Sequence, residues 1–349
     1  MVDFQEHFNS GIKYFLNNNY RSKSNIVKIS KNVISKNKYR NDKEMTPVRL
    51  ESGLINLLYC KTENEQAEKI SDLILSIKNE NKCKLNEIAI LYRTNNESQR
   101  IIGALLKNKI SFNILDKKYN FFEINICRDI ISYLRLSLNV NDRESFIRII
   151  NKPYRYISKT KIKKVKDYKF SRNCFKLLME LPDMPVYQIK KIHDLEKKVI
   201  KLAVLSPTKA IDSILHKIGY DGGIKSHAQD IINELKDISS DFKTIYEFLD
   251  FVDLYNRELC NNANYDDGII LSTIHGVKGL EYKNIFIINC NKDNMPHLNS
   301  LSNIEEERRL FYVGLTRAID NLWIIYSEIF KGNKSEKSPF IYECNLLNL

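Results

Sequence analysis

The sequence predicts an α/β protein in which a parallel sheet covered by helices is interrupted by a mostly helical insertion. Three observations carry this. Short apolar, β-rich runs alternate with helical periodicity through the first third of the chain; from roughly residue 123 to residue 266 the texture changes to long amphipathic helices; the alternation then resumes to the end.

In order, residues 22–33 and 63–77 carry apolar side chains at helical spacing, while residues 54–59 and 88–92 are short apolar runs bounded by polar residues. Such alternation implies a parallel sheet with binding residues at the carboxyl ends of its strands. Adjacent Phe121 and Phe122 close this part and are expected in a core. In the insertion Ile189, Ile192, Leu195, Val199 and Leu202 trace one helical face, and Ser206-Pro207 followed by Gly219 brackets another helix with a cap, an N1 proline and a stop. The proline-rich residues 181–185 separate helices, and the polar run 261–268 (NNANYDDG) leads out. Residues 268–273 and 284–288 restart the strands, an amphipathic helix spans the region of Ile304 to Val313, and residues 321–326, with Trp323 in the core, form a last strand. The expected division is therefore 1–122, 123–266 and 267–349.

With 349 residues and 43% hydrophobic content, the chain can bury one large core or two smaller ones. A formal charge of +12 favours a polyanionic partner, because each phosphate neutralised releases condensed counterions. Nucleic acid fits this charge, and a membrane surface or a ribosome would fit it too. The seven cysteines are scattered, odd in number and never at metal-ligand spacing, which argues for reduced thiols and no metal site. No apolar stretch reaches membrane-spanning length and no leader pattern opens the chain, so a cytoplasmic protein with no membrane partner is expected.

Residues 305–318 (EEERRLFYVGLTRA) are the most informative run. Arg317 at its end has the chemistry of a phosphate sensor: a planar, permanently charged guanidinium forks onto phosphoryl oxygens in a way lysine does not. A finger of this kind is worth roughly 10³ to 10⁵ in rate. This run resembles motif VI of the UvrD/Rep/PcrA-type helicases of superfamily 1. Residues 271–282 (LSTIHGVKGLEY) resemble that family's motif V, with Val277 and Tyr282 as mild departures; Asn19-Tyr20-Arg21-Ser22 resembles motif IV, and residues 90–100 (ILYRTNNESQR) the segment that follows it. Four motifs occur in the family's order. The resemblance implies the second RecA-like motor domain of such a helicase, split by an accessory subdomain, and hence a part in 3′-to-5′ DNA translocation driven by ATP and Mg²⁺.

It also implies roles. Tyr20 would stack on adenine, Arg21 and Arg317 would sense the γ-phosphate as the catalytic cations, Glu281 would accept from the ribose, and Thr273 and His275 would contact the backbone of single-stranded DNA or a single-strand/duplex junction. Gly276 and Gly279 are expected to turn the backbone tightly between these positions. Arg93 and Asn95, beyond a strand end, can hold phosphates or bases, or serve the fold alone. Glu305 to Glu307 are expected to hold Arg308 and Arg309 by local ion pairs.

Two departures qualify the resemblance. Where the family has Pro-x-Arg-Gly-Ile-Gly, this chain has Pro153-Tyr154-Arg155-Tyr156-Ile157-Ser158, so backbone approach to a duplex phosphate is in doubt, although the lysines of residues 159–166 can still attract one. None of the eleven glycines is followed by lysine and no aspartate by glutamate, so neither a P-loop nor an Asp-Glu metal and water pair is present. The expectation is a carboxy-terminal helicase half, inactive alone, whose partner is a first motor domain supplied elsewhere. The alternative is a non-catalytic nucleic-acid-binding or interaction module that retained the fold.

Overall fold

In a computed structural model of the protein, residues 14–40, 43–80, 83–115, 120–220, 226–260, 266–297 and 303–346 are described. The chain divides into two compact units, residues 1–119 with 262–349, and residues 120–261.

The first unit is built on a mostly parallel seven-stranded sheet. Its strands are β3 (Leu54–Thr62), β4 (Ile88–Tyr92), β5 (Phe112–Ile114), β6 (Ile269–Thr273), β7 (Tyr282–Ile287), β8 (Ala318–Phe330) and the short β9 (Asn333–Lys334). The order is β3-β8-β7-β4-β6-β5, parallel throughout, with β9 antiparallel to β8. The α/β class read from the sequence is the fold observed.

Both faces of the sheet are covered, which is why its strands are continuously apolar. Ala89, Leu91, Ile285, Ile287, Leu322 and Ile324 join a core with α1 (Ser24–Ile34) and α12 (Ile304–Leu315). The alternate positions Ile88, Ile90, Phe286, Trp323 and Ile325 are equally buried and point the other way, as a period of two requires. On that side Phe286 and Trp323 stack with centroids 4.4 Å apart, and α2 (Glu63–Asn79) and α3 (Ser98–Lys107) bury Ile70, Ile74, Ile101 and Leu105. Each such side chain contributes about 1.5–3 kcal/mol. Thr62 caps α2 by accepting from the Glu65 amide at 3.2 Å, and Asn303 caps α12, whose first turn carries Glu305, Glu306 and Glu307 toward the positive end of the helix dipole.

Two strands lie outside this sheet and were not visible in the sequence. β1 (Asn18–Lys23) pairs in parallel with β2 (Thr46–Arg49), so Tyr20 and Arg21 sit on a strand that runs into α1.

The second unit is helical. Its centre is α4 (Asn125–Leu138), with Cys127, Ile130, Tyr133, Leu134 and Leu136 all fully buried. Around it pack α5 (Arg143–Ile149), α8 (Val186–Ile200), α9 (Pro207–His216), α10 (Ser226–Ser239) and α11 (Ile245–Cys260); the shorter α6 (Lys159–Lys166) and α7 (Cys174–Met179) pack on each other beside α5. Pro207 opens α9, and beyond its end Gly219 takes φ +81°, a left-handed conformation that glycine adopts without strain. Phe121 and Phe122 are core, Phe122 meeting Tyr255 edge to face at 5.0 Å. Residues 261–265 of the polar exit run lie outside the described residues.

One buried carboxylate ties this unit together. Asp129, 5% exposed in its side chain, accepts hydrogen bonds from Lys152 Nζ at 2.7 Å and the Tyr220 hydroxyl at 2.8 Å and forms an ion pair with Arg148, whose Nε lies 2.6 Å away. Asp129→Ala strands two cations and is expected to cost about 3–5 kcal/mol. Asp194→Ala, at the exposed Lys198–Asp194 pair, should change stability by less than about 1 kcal/mol. Urea unfolding followed by circular dichroism distinguishes the two, and equal shifts would refute the assignment.

Candidate functional site

The motif IV and VI residues, with Glu281 from the end of motif V, converge at the amino-terminal edge of the sheet, where β7 and β8 begin. The chain leaves α12 at Leu315, and Arg317 immediately precedes β8; the Tyr282 amide at the head of β7 donates to the Arg317 carbonyl at 3.0 Å, which brings Glu281 alongside. Arg21 arrives from β1. The Asn19 side-chain oxygen accepts from the amides of both Arg21 and Ser22 at 3.0 Å, and the buried Ser22 hydroxyl donates to the Ala318 carbonyl at 2.6 Å, fastening β1 to the start of β8. Arg21 Nε then donates to Glu281 Oε2, and Arg21 Nη1 to the Thr316 carbonyl at 3.2 Å.

Arg317 is held without a carboxylate. Its Nε donates to the Val313 carbonyl at 3.0 Å, Nη1 to the Leu280 carbonyl at 3.0 Å and Nη2 to Thr316 Oγ1 at 3.1 Å, and among the described residues it has no acidic partner within 4 Å. Burial, then the charge of Arg21, lowers its pKa from the usual guanidinium value, while Tyr312 and Glu281 act in the opposite sense. A half-buried cation resting on neutral carbonyls, beside a second cation, is a place prepared for an anion. Tyr20, 70% exposed, lines an open recess of ≈ 480 Å³ with Arg21, Lys43, Met45 and Glu281, and Arg21 and Glu281 connect this recess to the loop that carries Arg317.

The two motif V glycines differ. Gly279 takes φ +94° and serves the turn before Glu281, whereas Gly276 is not among the positive-φ residues; its amide caps back onto Thr273, donating to the carbonyl at 3.0 Å. The ends of that turn separate Glu281 from the DNA candidates. Thr273 closes β6 and lies in register with Tyr92 at the end of β4, so Thr273, exposed His275, Arg93 and Asn95 share the carboxyl edge. The candidates Tyr20, Arg21, Glu281 and Arg317 thus occupy the amino edge, and not the carboxyl ends at which the alternating pattern leads binding residues to be expected. The reason is that β1 is not in the main sheet and delivers Arg21 to the heads of β7 and β8.

At the carboxyl edge Arg93 is engaged within the fold. It makes a two-pronged pair with Glu307, Nε to Oε2 at 3.0 Å and Nη2 to Oε1 at 2.7 Å, with side chains 16% and 5% exposed. Asn95 begins a one-turn 3₁₀ segment capped by Thr94 and accepts from the Ser98 hydroxyl at 2.8 Å through its carbonyl. The local pairing expected of residues 305–309 holds for Arg309, which reaches Glu305 at 3.6 Å and Glu306 at 2.8 Å. Arg308 instead pairs with Glu343 at 2.7 Å and reaches Asn37, because it lies on the buried side of α12 where Glu305 and Glu306 cannot follow. Asn19, Thr316 and the Arg93–Glu307 pair went unrecognised in the sequence; Asn19 alone carried a signal, an amide side chain able to cap the backbone two residues on. Among the described residues no group of three or more His, Cys, Asp or Glu could hold a metal, and no helix is long and apolar enough to cross a membrane.

Two outcomes follow for this edge. Arg93→Ala and Glu307→Ala should each cost about 3–5 kcal/mol, and the double variant less than their sum, since each single change strands the other charge; additive costs in chemical unfolding would count against the pair. Burial, then Arg93, also lowers the pKa of His297, whose amide donates to Glu307 at 3.1 Å. The unfolded imidazole therefore takes up its proton first, so stability is full above about pH 6.5 and falls as pH drops toward the depressed folded value. His297→Gln should flatten that part of the stability–pH profile, and an unchanged slope would exclude this histidine as its source.

Comparison with known proteins agrees with the family that the motifs resemble. The family model for the UvrD-like helicase C-terminal domain matches residues 14–184 and 187–329. The ATP-dependent DNA helicase Rep of Buchnera aphidicola subsp. Schizaphis graminum is 30% identical over 93% of this chain and 55% of that protein. The putative ATP-dependent DNA helicase YjcD of Bacillus subtilis is 29% identical over 98% of this chain and 47% of its own length, and the ATP-dependent DNA helicase PcrA of Staphylococcus epidermidis 28% over 93% and 48%. Among solved structures, the C-terminal domain of a possible DNA helicase from a Lactobacillus aligns at a TM-score of 0.39 with 11% identity, covering 94% of this chain and 95% of that one. The chain spans about half the length of the curated relatives it matches. It belongs to the UvrD-like helicase C-terminal domain family.

Proposed function

We propose that this chain is the second motor half of an ATP-dependent, 3′-to-5′ DNA translocase of the cytoplasm, with residues 1–122 and 267–349 acting as the RecA-like domain and residues 123–266 as its accessory insertion. The observation that carries the proposal is Arg317, a half-buried guanidinium without a carboxylate partner among the described residues, which shares Thr316 with Arg21.

ATP with Mg²⁺ supplies the transferable phosphoryl group, and a first motor domain supplied elsewhere would carry the P-loop for it. The residues present fit the sensing side of such a site. Tyr20 offers an exposed ring for a base, Glu281 an acceptor for ribose hydroxyls, and Arg21 and Arg317 two cationic forks for the γ-phosphate. At the opposite edge Thr273 and His275 are the DNA-facing candidates, with single-stranded DNA or a single-strand/duplex junction as partner. Asn95 remains a candidate beside them, whereas Arg93, committed to Glu307, fits a structural role better.

The chain alone is expected to show negligible ATPase activity. In an enzyme reconstituted with a first motor domain, Arg317→Lys should lower turnover by roughly 10³ or more while leaving nucleotide affinity within a few-fold. Near-normal turnover of that variant, or DNA-stimulated hydrolysis by the isolated chain, would sink the proposal.

A further inference from the structure

Between Tyr154 and Phe170 the second unit carries exposed aromatic and basic residues that the motor chemistry does not use. Tyr154 and Tyr156 are 69% and 67% exposed, and their rings meet edge to face with centroids 4.6 Å apart. The loop that presents them is tightly fastened. Asn151 Nδ2 donates to the Ile157 carbonyl at 2.7 Å, Arg155 Nη1 reaches the carbonyls of Ile149, Ile150 and Pro153, and Gln188 donates to the Tyr156 carbonyl at 2.9 Å. Tyr156 holds φ +62°, a region that disfavours a bulky side chain. An exposed ring held in a disfavoured backbone conformation gives nothing to the core, so its use is at the surface.

The charges beside it match a polyanion. After Ser158 caps α6, Lys161 and Lys164 turn toward Asp183, whereas among the described residues no carboxylate lies within 4 Å of Lys159, Lys163 or Lys166. Beyond the helix a second ring pair, Tyr168 and Phe170, stands with centroids 6.0 Å apart; Phe170 is 70% exposed and its carbonyl is held by Arg143 Nη2 at 2.9 Å.

We propose that these residues form a separate site for single-stranded DNA, in which unpaired bases stack on Tyr154 and Tyr156, the α6 lysines neutralise phosphates, and Tyr168 with Phe170 extends the platform. Lysines alone would serve duplex and single strand alike, but ring faces are covered only by bases free of a partner. The proposal concerns different residues from the nucleotide site and stands or falls independently of it.

The test uses the whole purified chain, a fluorescein-labelled oligothymidylate and a duplex of equal length, titrated by anisotropy at several salt concentrations. Tyr156→Gly suits the local backbone and should melt no lower than the parent, yet Tyr154→Ala and Tyr156→Gly should each weaken oligothymidylate binding about tenfold with the salt slope unchanged. Lys159→Gln with Lys163→Gln should reduce the slope by about 1.4. Unchanged oligothymidylate affinity in folded Tyr156→Gly, or duplex bound as tightly as single strand, overturns the proposal, as does complete loss of binding in His275→Ala with both tyrosine variants unaffected.

Discussion

The arrangement rests on the return of the chain between two parallel strands. β6 and β7 flank β4, and both run in its direction, so the chain leaving β6 at the carboxyl edge must reach the amino edge before β7 can start. Parallel neighbours usually need a crossover of a dozen or more residues with a helix. Residues 274–281 do it without one, and the segment is anchored as it crosses: the Ile274 amide donates to the Tyr92 carbonyl at 2.9 Å, and Ile274 and Val277 are fully buried in the core shared with Leu310, Phe311 and Leu315. Gly314 on α12 belongs to the same contact, since a Cβ there would stand 3.2 Å from Ile287 and 3.5 Å from Ile274. One short buried piece of chain therefore joins Thr273 and His275 to Glu281. In the proposed motor it is the physical link by which a change at the nucleotide edge reaches the DNA edge, because a close-packed core transmits displacement and does not absorb it.

The arginines of this unit separate into two kinds by what they rest on. Arg93 and Arg308 meet Glu307 and Glu343 in two-pronged, largely buried pairs, and removing either partner would leave an uncompensated charge. Such residues specify the fold. Arg21 and Arg317 differ: the first shares a solvent-facing pair with Glu281, and the second lies on uncharged oxygens. Neither arrangement exploits what a guanidinium does best, which is to fork onto two anionic oxygens.

Much of this was legible in the sequence, and the reasons are local. Strands β3, β4, β6 and β7, and helices α1 and α2, were found within a few residues of their ends because each is a short apolar run or a clean helical face. β1, β2 and β5 were missed: residues 18–23 and 46–49 are polar and half-exposed, so no apolar alternation marks them, and residues 112–114 are too few to show a period. The motif residues could be named, but not the edge of the sheet they occupy, since that depends on β1 pairing with β2 away from the main sheet. Long-range pairs such as Arg93–Glu307 and the ligands of Asp129 join residues far apart in the chain, and nothing in the spacing announces them. At Tyr156, where the family pattern read from the sequence has glycine, the backbone takes a left-handed conformation, and Asn151, Arg155 and Gln188 hold the loop from both sides.

In the proposed motor, the energetics of Arg21 and Arg317 favour exchange of partners. An ion pair as exposed as Arg21–Glu281, with side chains 33% and 50% accessible, contributes only about 0–1 kcal/mol, so little opposes its release. A phosphate oxygen offers a charge-assisted hydrogen bond of about 1.5–3 kcal/mol in its place. Arg317 already pays for desolvation while resting on carbonyls, and exchanging a neutral acceptor for an anionic one roughly doubles the strength of each bond. The Val313 and Leu280 carbonyls meanwhile fix the guanidinium from the helix side, so its plane is set before any anion arrives. A lysine at this position would keep the charge and lose the fixed plane, because all its donors sit on one rotatable nitrogen. Orientation, more than charge, is therefore what the end of α12 contributes to the site.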